Sequence, residues 1–65
     1  MKNRIEQLRR GQGMTQQQLA DSLGVSRQTI NSLESGRYNP SILLAHKIAA
    51  LFGQCIEQVF LFDAE

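Results

Sequence analysis

Apolar residues recur along this chain at helical spacing, in short groups separated by glycines. Members of each group lie three or four residues apart, as on one face of a helix. The clearest pairs are Ile5 with Leu8, Leu19 with Leu23, and Ile30 with Leu33. A glycine follows each group, and glycine favours the end of a helix. The pattern predicts three successive short helices, ending near Gly11, Gly24 and Gly36.

Capping residues mark where these helices begin. Thr15 is followed by Gln18 three residues later, the spacing of a capping box in which two side chains bind backbone N–H groups. Ser26 is in the position to cap the third helix. Asn3, with Glu6 three residues on, is predicted to cap the first helix in the same way.

The segment "NPSILLAHKIAALFG" predicts the fourth and most apolar helix. Pro40 or Ser41 is expected to begin it and Gly53 to end it. The residues expected on its core face are Ile42, Ala45, Ile48, Ala49 and Phe52.

The C-terminal segment predicts a fifth short helix, "CIEQVF", followed by a possible strand in "VFLF". Cys55 would occupy the capping position, where a thiol is a weak hydrogen-bond acceptor. Only this final segment offers any alternating pattern of the kind that a strand needs. The sequence therefore predicts an all-α fold with five short helices.

The length of the chain, 65 residues, indicates one domain spanning residues 1–65. A chain of this size buries a small core and often depends on a disulfide, a metal or a partner subunit. Cys55 is the only cysteine, which excludes an internal disulfide and a cysteine-based zinc site. A partner subunit is therefore the remaining way to stabilise so small a core.

Charge is divided unevenly along the chain. Residues 1–47 contain all seven Lys and Arg residues and three acids, for a net charge of +4, whereas residues 48–65 carry −3. A basic body with an acidic end indicates a polyanionic partner for the first part.

The segment "TQQQLADSLGVSRQTINSLESGRYNP" resembles the helix-turn-helix of phage Cro and lambda repressor, the XRE family of bacterial regulators. The positions that match in residue type and spacing are Leu19, Ala20, Leu23, Gly24, Val25, Ile30 and Leu33. The flanking helices also match, so the resemblance covers roughly residues 3 to 61. It implies a compact lambda-repressor-like DNA-binding domain with its helix-turn-helix at about residues 16–35.

The resemblance also implies which residues contact DNA. The third helix of this family enters the major groove, with its N-terminal residues facing base edges. Arg27 and Gln28 hold those positions, and Arg suits guanine while Gln suits adenine. Asn31 and Ser32 are further candidates for base contact.

Other residues are expected to hold the DNA backbone or the fold. Gln16 matches the family's phosphate-clamping glutamine at a helix start, where N–H groups favour an anion. The phosphate-contact candidates are Thr15, Gln16, Ser26, Arg37, Tyr38 and Asn39. Tyr38 is equally compatible with partial packing against the core. Arg9 and Glu34 match the family's structural ion pair between the first and third helices.

The segment "QVFLFD" holds more apolar side chains than a small core can bury. The resemblance places Phe60 in the core. Val59, Leu61 and Phe62 are left as candidates for a two-fold contact, through packing or strand pairing. We therefore expect a homodimer bound to an inverted-repeat operator of double-stranded DNA.

The expected function is a transcriptional regulator, with repression as the default because no effector region is evident. No catalytic spacing, glycine-rich phosphate loop, signal core or membrane span is present, so no enzyme, cofactor, metal, small-molecule substrate or membrane role is expected. A cytoplasmic, nucleoid-associated protein of bacterial or phage type is expected. Two alternatives stay open: an antitoxin that binds a toxin and represses its own operon, and a helix-turn-helix kept for protein contact alone.

Overall fold

Helices account for most of residues 2–61, the part of the chain that this computed structural model describes. In chain order they are α1 (Ile5–Gly11), α2 (Gln16–Leu23), α3 (Arg27–Glu34), α4 (Ile42–Leu51) and α5 (Ile56–Val59). The predicted all-α, five-helix architecture is confirmed. The segment that resembles a helix-turn-helix forms α2 and α3.

The predicted caps of the middle helices are present. The Thr15 hydroxyl accepts from the Gln18 N–H at 3.0 Å, and the Thr15 N–H donates to Gln18 Oε1 at 2.8 Å, which completes the capping box. Ser26 Oγ accepts from the Thr29 N–H at 3.1 Å. Ser41, rather than Pro40, caps α4 by accepting from the Leu44 N–H. These helix starts follow from side chains and backbone groups only three residues apart.

The start of α1 differs from the predicted capping box. Arg4 is the capping residue, and its side chain makes no capping hydrogen bond, while the Asn3 side chain accepts from the Ile5 N–H at 3.0 Å. Glu6 instead forms an exposed ion pair with Arg10 on the next turn, at 2.9 Å. Asn3 and Glu6 thus each have a partner other than the one that a capping box would give them.

A single apolar core lies between the helices. Its buried side chains are Ile5, Leu19, Ala20, Leu23, Ile30, Leu33, Ala45, Ile48, Ala49, Phe52, Val59 and Phe60. The prediction that Ile42 belongs to this core is wrong, since its side chain is 78% exposed. Ile42 is the first residue of α4, and helical side chains lean toward the N-terminus, so it extends past the end of the packed stripe.

The chain ends meet beside α5. Asn3 and Phe60 form one antiparallel bridge, in which the Arg4 N–H donates to the Val59 carbonyl at 2.8 Å and the Leu61 N–H to the Lys2 carbonyl at 2.9 Å. Up to Leu61, the predicted strand amounts to this one bridge.

The bridge decides which C-terminal side chains stay accessible. Val59, one of the residues expected at a dimer interface, is fully buried in the single chain and has no exposed side-chain surface to offer a partner. The Val59 side chain is packed against α4 in the apolar core. Phe60 is buried as expected, Leu61 is half-buried, and Phe62 lies outside the described residues.

Within residues 2–61, no helix has the length and apolar character needed to cross a membrane. The same residues contain no group of three or more His, Cys, Asp or Glu side chains placed to hold a metal ion.

Candidate nucleic-acid interface

The turn between α2 and α3 sets the geometry of the interface. Gly24 adopts a left-handed conformation, with φ of 72°, which a residue with a side chain adopts only at a cost. The Val25 N–H then donates to the Ala20 carbonyl at 3.0 Å. Ala20 is fully buried, and its small side chain lets the two helices lie close together. The turn holds α3 at a fixed angle against α2.

Helix α3 has one apolar and one polar face. Ile30 and Leu33 are fully buried, which anchors the inner face. Arg27, Gln28 and Asn31 are exposed on the opposite face. The third helix therefore presents two long hydrogen-bonding side chains on its first turn and an amide on its second.

An open groove of about 670 Å³ runs between α1, α2 and α3. Two base-reading candidates, Arg27 and Asn31, line it together with the phosphate candidates Thr15 and Gln16. The groove also contains residues that the sequence had not singled out, Arg10, Gln17 and Ser35. Arg10 adds a positive charge to the groove. The only feature of the sequence that could have indicated it is its position next to Arg9.

Four of the other candidates, Ser26, Gln28, Ser32 and Tyr38, lie on the opposite side of α3. A smaller hollow of about 270 Å³ is lined by Ser26, Gln28, Thr29, Ser32 and Tyr38. The predicted base-reading set is therefore divided, with Arg27 and Asn31 facing one flank and Gln28 and Ser32 the other. A helix lying in a groove would present both flanks to the groove walls.

The ion pair between Arg9 and Glu34 lies at the floor of the larger groove. Arg9 Nε donates to Glu34 Oε2 at 2.7 Å and Nη2 donates to Oε1 at 3.3 Å, while Nη1 donates to the Met14 carbonyl at 2.8 Å. The side chains are only 8% and 5% exposed. The hydrogen bond to Glu34 raises the pKa of Arg9, so the guanidinium is fully charged.

Gln16 is connected to this pair. Its Nε2 donates to Glu34 Oε1 at 3.0 Å, between residues 18 positions apart. One of the two N–H bonds of that amide is thus used within the protein, and the other is available. The contact holds the Gln16 side chain at the edge of the groove.

Three hydrogen bonds of the loop after α3 meet at one carbonyl group. The Ser32 carbonyl accepts from the Arg37 and Tyr38 N–H groups, at 3.2 and 3.3 Å, and from the Ser35 hydroxyl at 3.0 Å. Arg37 Nε in turn donates to Ser35 Oγ at 3.1 Å. Tyr38 is 45% exposed, which places it at the surface, and Asn39 is exposed as well.

Large apolar side chains are exposed on α4, away from this groove. Ile42, Leu43 and Leu51 are all exposed. The position of Leu43 off the core face agrees with its place in the helical pattern.

Sequence comparison relates the chain to known proteins. A sequence model of the helix-turn-helix family matches residues 5–55. An HTH-type transcriptional regulator of Archaeoglobus fulgidus is 52% identical over 65 residues, which covers 100% of this chain and 93% of that protein. One from Methanocaldococcus jannaschii is 49% identical over 63 residues, covering 97% of this chain and 96% of the relative.

The similarity extends to bacteria. The HTH-type transcriptional regulator YgzD of Bacillus subtilis is 43% identical over 65 residues, covering 100% of this chain and 98% of YgzD. The chain belongs to the XRE-type helix-turn-helix family of DNA-binding transcriptional regulators.

Proposed function

We propose that this protein represses transcription as a homodimer bound to an inverted-repeat operator, with α3 in the major groove of each half-site. The observation that carries this proposal is the two-faced character of α3. Its inner face is fixed by the fully buried Ile30 and Leu33, while Arg27, Gln28 and Asn31 are exposed on its outer face.

Arg27 and Gln28 are proposed to read bases. The Arg27 guanidinium can donate two parallel hydrogen bonds to O6 and N7 of guanine, and the Gln28 amide can pair with N6 and N7 of adenine. Because they lie on different flanks of α3, they would contact neighbouring base pairs rather than the same one. Asn31 and Ser32, one turn later, would add shorter-range contacts.

The phosphate contacts are proposed for the start of α2 and for the loop that follows α3. Gln16 retains one amide N–H beyond its bond to Glu34, and that donor can bind a phosphate oxygen. Arg37, held by Ser35, brings a positive charge to the other end. Thr15, Ser26, Tyr38 and Asn39 complete the proposed set. Such contacts fix the position of the protein without reading sequence.

The size of the domain supports two copies on an operator. Its longest dimension, measured on Cα positions, is 29 Å. Successive half-sites on one face of DNA lie about 34–36 Å apart, so one domain with one recognition helix covers a single half-site. Leu61 and Phe62 are the residues proposed for the two-fold contact, now without Val59. A dimer occupying a promoter would exclude polymerase from it.

Selection from a random pool of duplex DNA, at moderate salt, tests the proposal. Enrichment of an inverted repeat, lost in the Arg27→Ala and Gln28→Ala variants, is the expected result. With the selected repeat placed across a promoter, the protein should lower transcription of a reporter. No enriched sequence would instead support a protein-contact role. A stable complex with a different protein in a pull-down would support the antitoxin alternative.

A further inference from the structure

Asn3 connects three separate parts of the fold. Its Nδ2 donates to the Leu33 carbonyl at 2.7 Å, and its Oδ1 accepts from the Ile5 N–H at 3.0 Å. Its backbone forms the bridge with Phe60. One half-buried residue thus joins the start of α1 and the end of α3 through its side chain and the C-terminal segment through its backbone.

The partners fix the orientation of the amide. The Leu33 carbonyl can only accept a hydrogen bond and the Ile5 N–H can only donate one. A flipped amide would place oxygen against oxygen and nitrogen against nitrogen. Asparagine meets both requirements at once, whereas aspartate would supply the acceptor and lack the donor.

The bond to Leu33 lies at the end of α3 that the α2–α3 turn does not hold. The Arg9–Glu34 ion pair ties the same end to α1, and the Asn3 bond adds a second tie, to the paired chain ends. The N-terminal end of α3 is set by Gly24 and the Ser26 cap, and its middle by the buried Ile30. Leu33 follows the base-reading candidates Asn31 and Ser32 directly and precedes the loop that carries Arg37. A tether at Leu33 therefore limits how far α3 can tilt about its buried middle.

We infer that Asn3 is a positioning residue for DNA reading, which sets the tilt of α3 by tying its C-terminal end to the paired chain ends. This inference rests on the proposed function, since it assumes that α3 reads DNA. The bridge that holds Asn3 lies next to Leu61, so the same tether would relate the recognition helix to the proposed dimer contact.

The test compares Asn3→Ala and Asn3→Asp with wild type and with Ser41→Ala, at a temperature where circular dichroism shows all four to be folded. Ser41→Ala removes the α4 cap and lowers stability through a bond in which neither Asn3 nor α3 takes part. Affinity is measured for the selected duplex and for a scrambled duplex of equal length. The ratio of the two affinities separates positioning from general charge effects, including the negative charge that Asn3→Asp adds.

Both Asn3 variants should lower the ratio of specific to non-specific affinity by about fivefold, as expected for the loss of one hydrogen bond. Asn3→Asp should melt no higher than Asn3→Ala and read DNA no better, because its acceptor for the Ile5 N–H is offset by a carboxylate oxygen that faces the Leu33 carbonyl. Ser41→Ala should melt earlier than wild type with an unchanged ratio. A wild-type ratio in Asn3→Ala, together with a lower melting temperature, would reduce Asn3 to a helix cap and overturn the inference.

Hydrogen exchange in the free protein gives a readout that does not depend on DNA. Asn3→Ala should accelerate exchange at the Arg37 and Tyr38 amides, which are bonded to the Ser32 carbonyl, more than Ser41→Ala does. If wild type preferred no duplex, the proposed function would fail, while faster exchange would still support the tether. Unchanged exchange at both amides would overturn the tether itself.

Discussion

Arg9 and Glu34 join α1 to the end of α3 through a two-point ion pair, with Nε to Oε2 at 2.7 Å and Nη2 to Oε1 at 3.3 Å. Both side chains are almost completely buried. The Oε1 atom also accepts from Gln16, so one carboxylate serves the packing of the fold and the orientation of a proposed phosphate contact. A change at Glu34 should therefore affect stability and DNA binding together.

Removing Glu34 alone should nearly unfold the protein. Glu34→Ala leaves the Arg9 charge buried without its partner, a change that costs about 3–5 kcal/mol. A domain of 65 residues has a total stability of roughly 3–10 kcal/mol. The double variant Arg9→Met with Glu34→Leu should recover much of the loss, because no buried charge remains. Urea denaturation of the single and double variants measures this, and strictly additive losses would contradict it.

The helix boundaries around α2 and α3 follow from local sequence because each cap involves residues close in the chain. Thr15 with Gln18, Ser26 with Thr29, and Gly24 after Leu23 act over three residues or fewer, so no knowledge of the fold is needed. The same reasoning failed for Asn3, because its side chain also bonds to Leu33, 30 positions away. Tertiary competition for one side chain replaced the predicted cap.

Burial was predicted correctly inside the helices, and the two residues whose exposure differs from expectation lie at the ends of elements. Ile30 and Leu33 follow helical spacing inside α3 and are fully buried, which also identifies the exposed face with Arg27 and Gln28. Ile42 and Val59 lie at element ends, where the packing of neighbouring segments decides exposure. Predicting the Gln16–Glu34 hydrogen bond would likewise have required knowing the distance between α2 and α3.

Base reading should depend on Arg27 and Gln28 separately. Each alanine substitution should weaken binding to the selected operator by about 1–3 kcal/mol and relax the preference at one base pair. Lys47→Ala is the matched control for Arg27→Ala, because it removes one exposed positive charge from α4, outside the groove. Binding titrations with single-base operator variants measure both effects. Equal losses for Arg27→Ala and Lys47→Ala would show that only charge matters.

Phosphate contacts from Gln16 and Arg37 should differ in their dependence on salt. Arg37→Ala should reduce the slope of log affinity against log salt by about 0.9, because one phosphate is no longer neutralised. Gln16→Ala removes a neutral donor, so it should weaken binding at every salt concentration without changing the slope. Titrations at four or five salt concentrations distinguish them. A reduced slope for Gln16→Ala would mean that its loss also displaces a charged side chain.

The dimer should weaken when a charge is placed at Leu61. Leu61→Glu should raise the dimer dissociation constant by about tenfold or more, as for a central interface residue. Leu43→Glu places the same charge on the exposed part of α4 and serves as the comparison. Sedimentation at several concentrations reports both. If Leu43→Glu, and not Leu61→Glu, produced monomers, the two-fold contact would lie on α4.

Two glycines allow backbone strain to be separated from steric crowding. An added Cβ would meet no other atom within 4 Å at either Gly24 or Gly11, so crowding is absent at both. Gly24 has φ of +72°, and a left-handed residue with a side chain costs about 1–2 kcal/mol. Gly11 is the last residue of α1, where alanine should stabilise the helix by about 0.5–1 kcal/mol. Gly24→Ala should therefore lower the melting temperature, and Gly11→Ala should raise it. If both variants lowered the melting temperature equally, a constraint other than φ would be responsible.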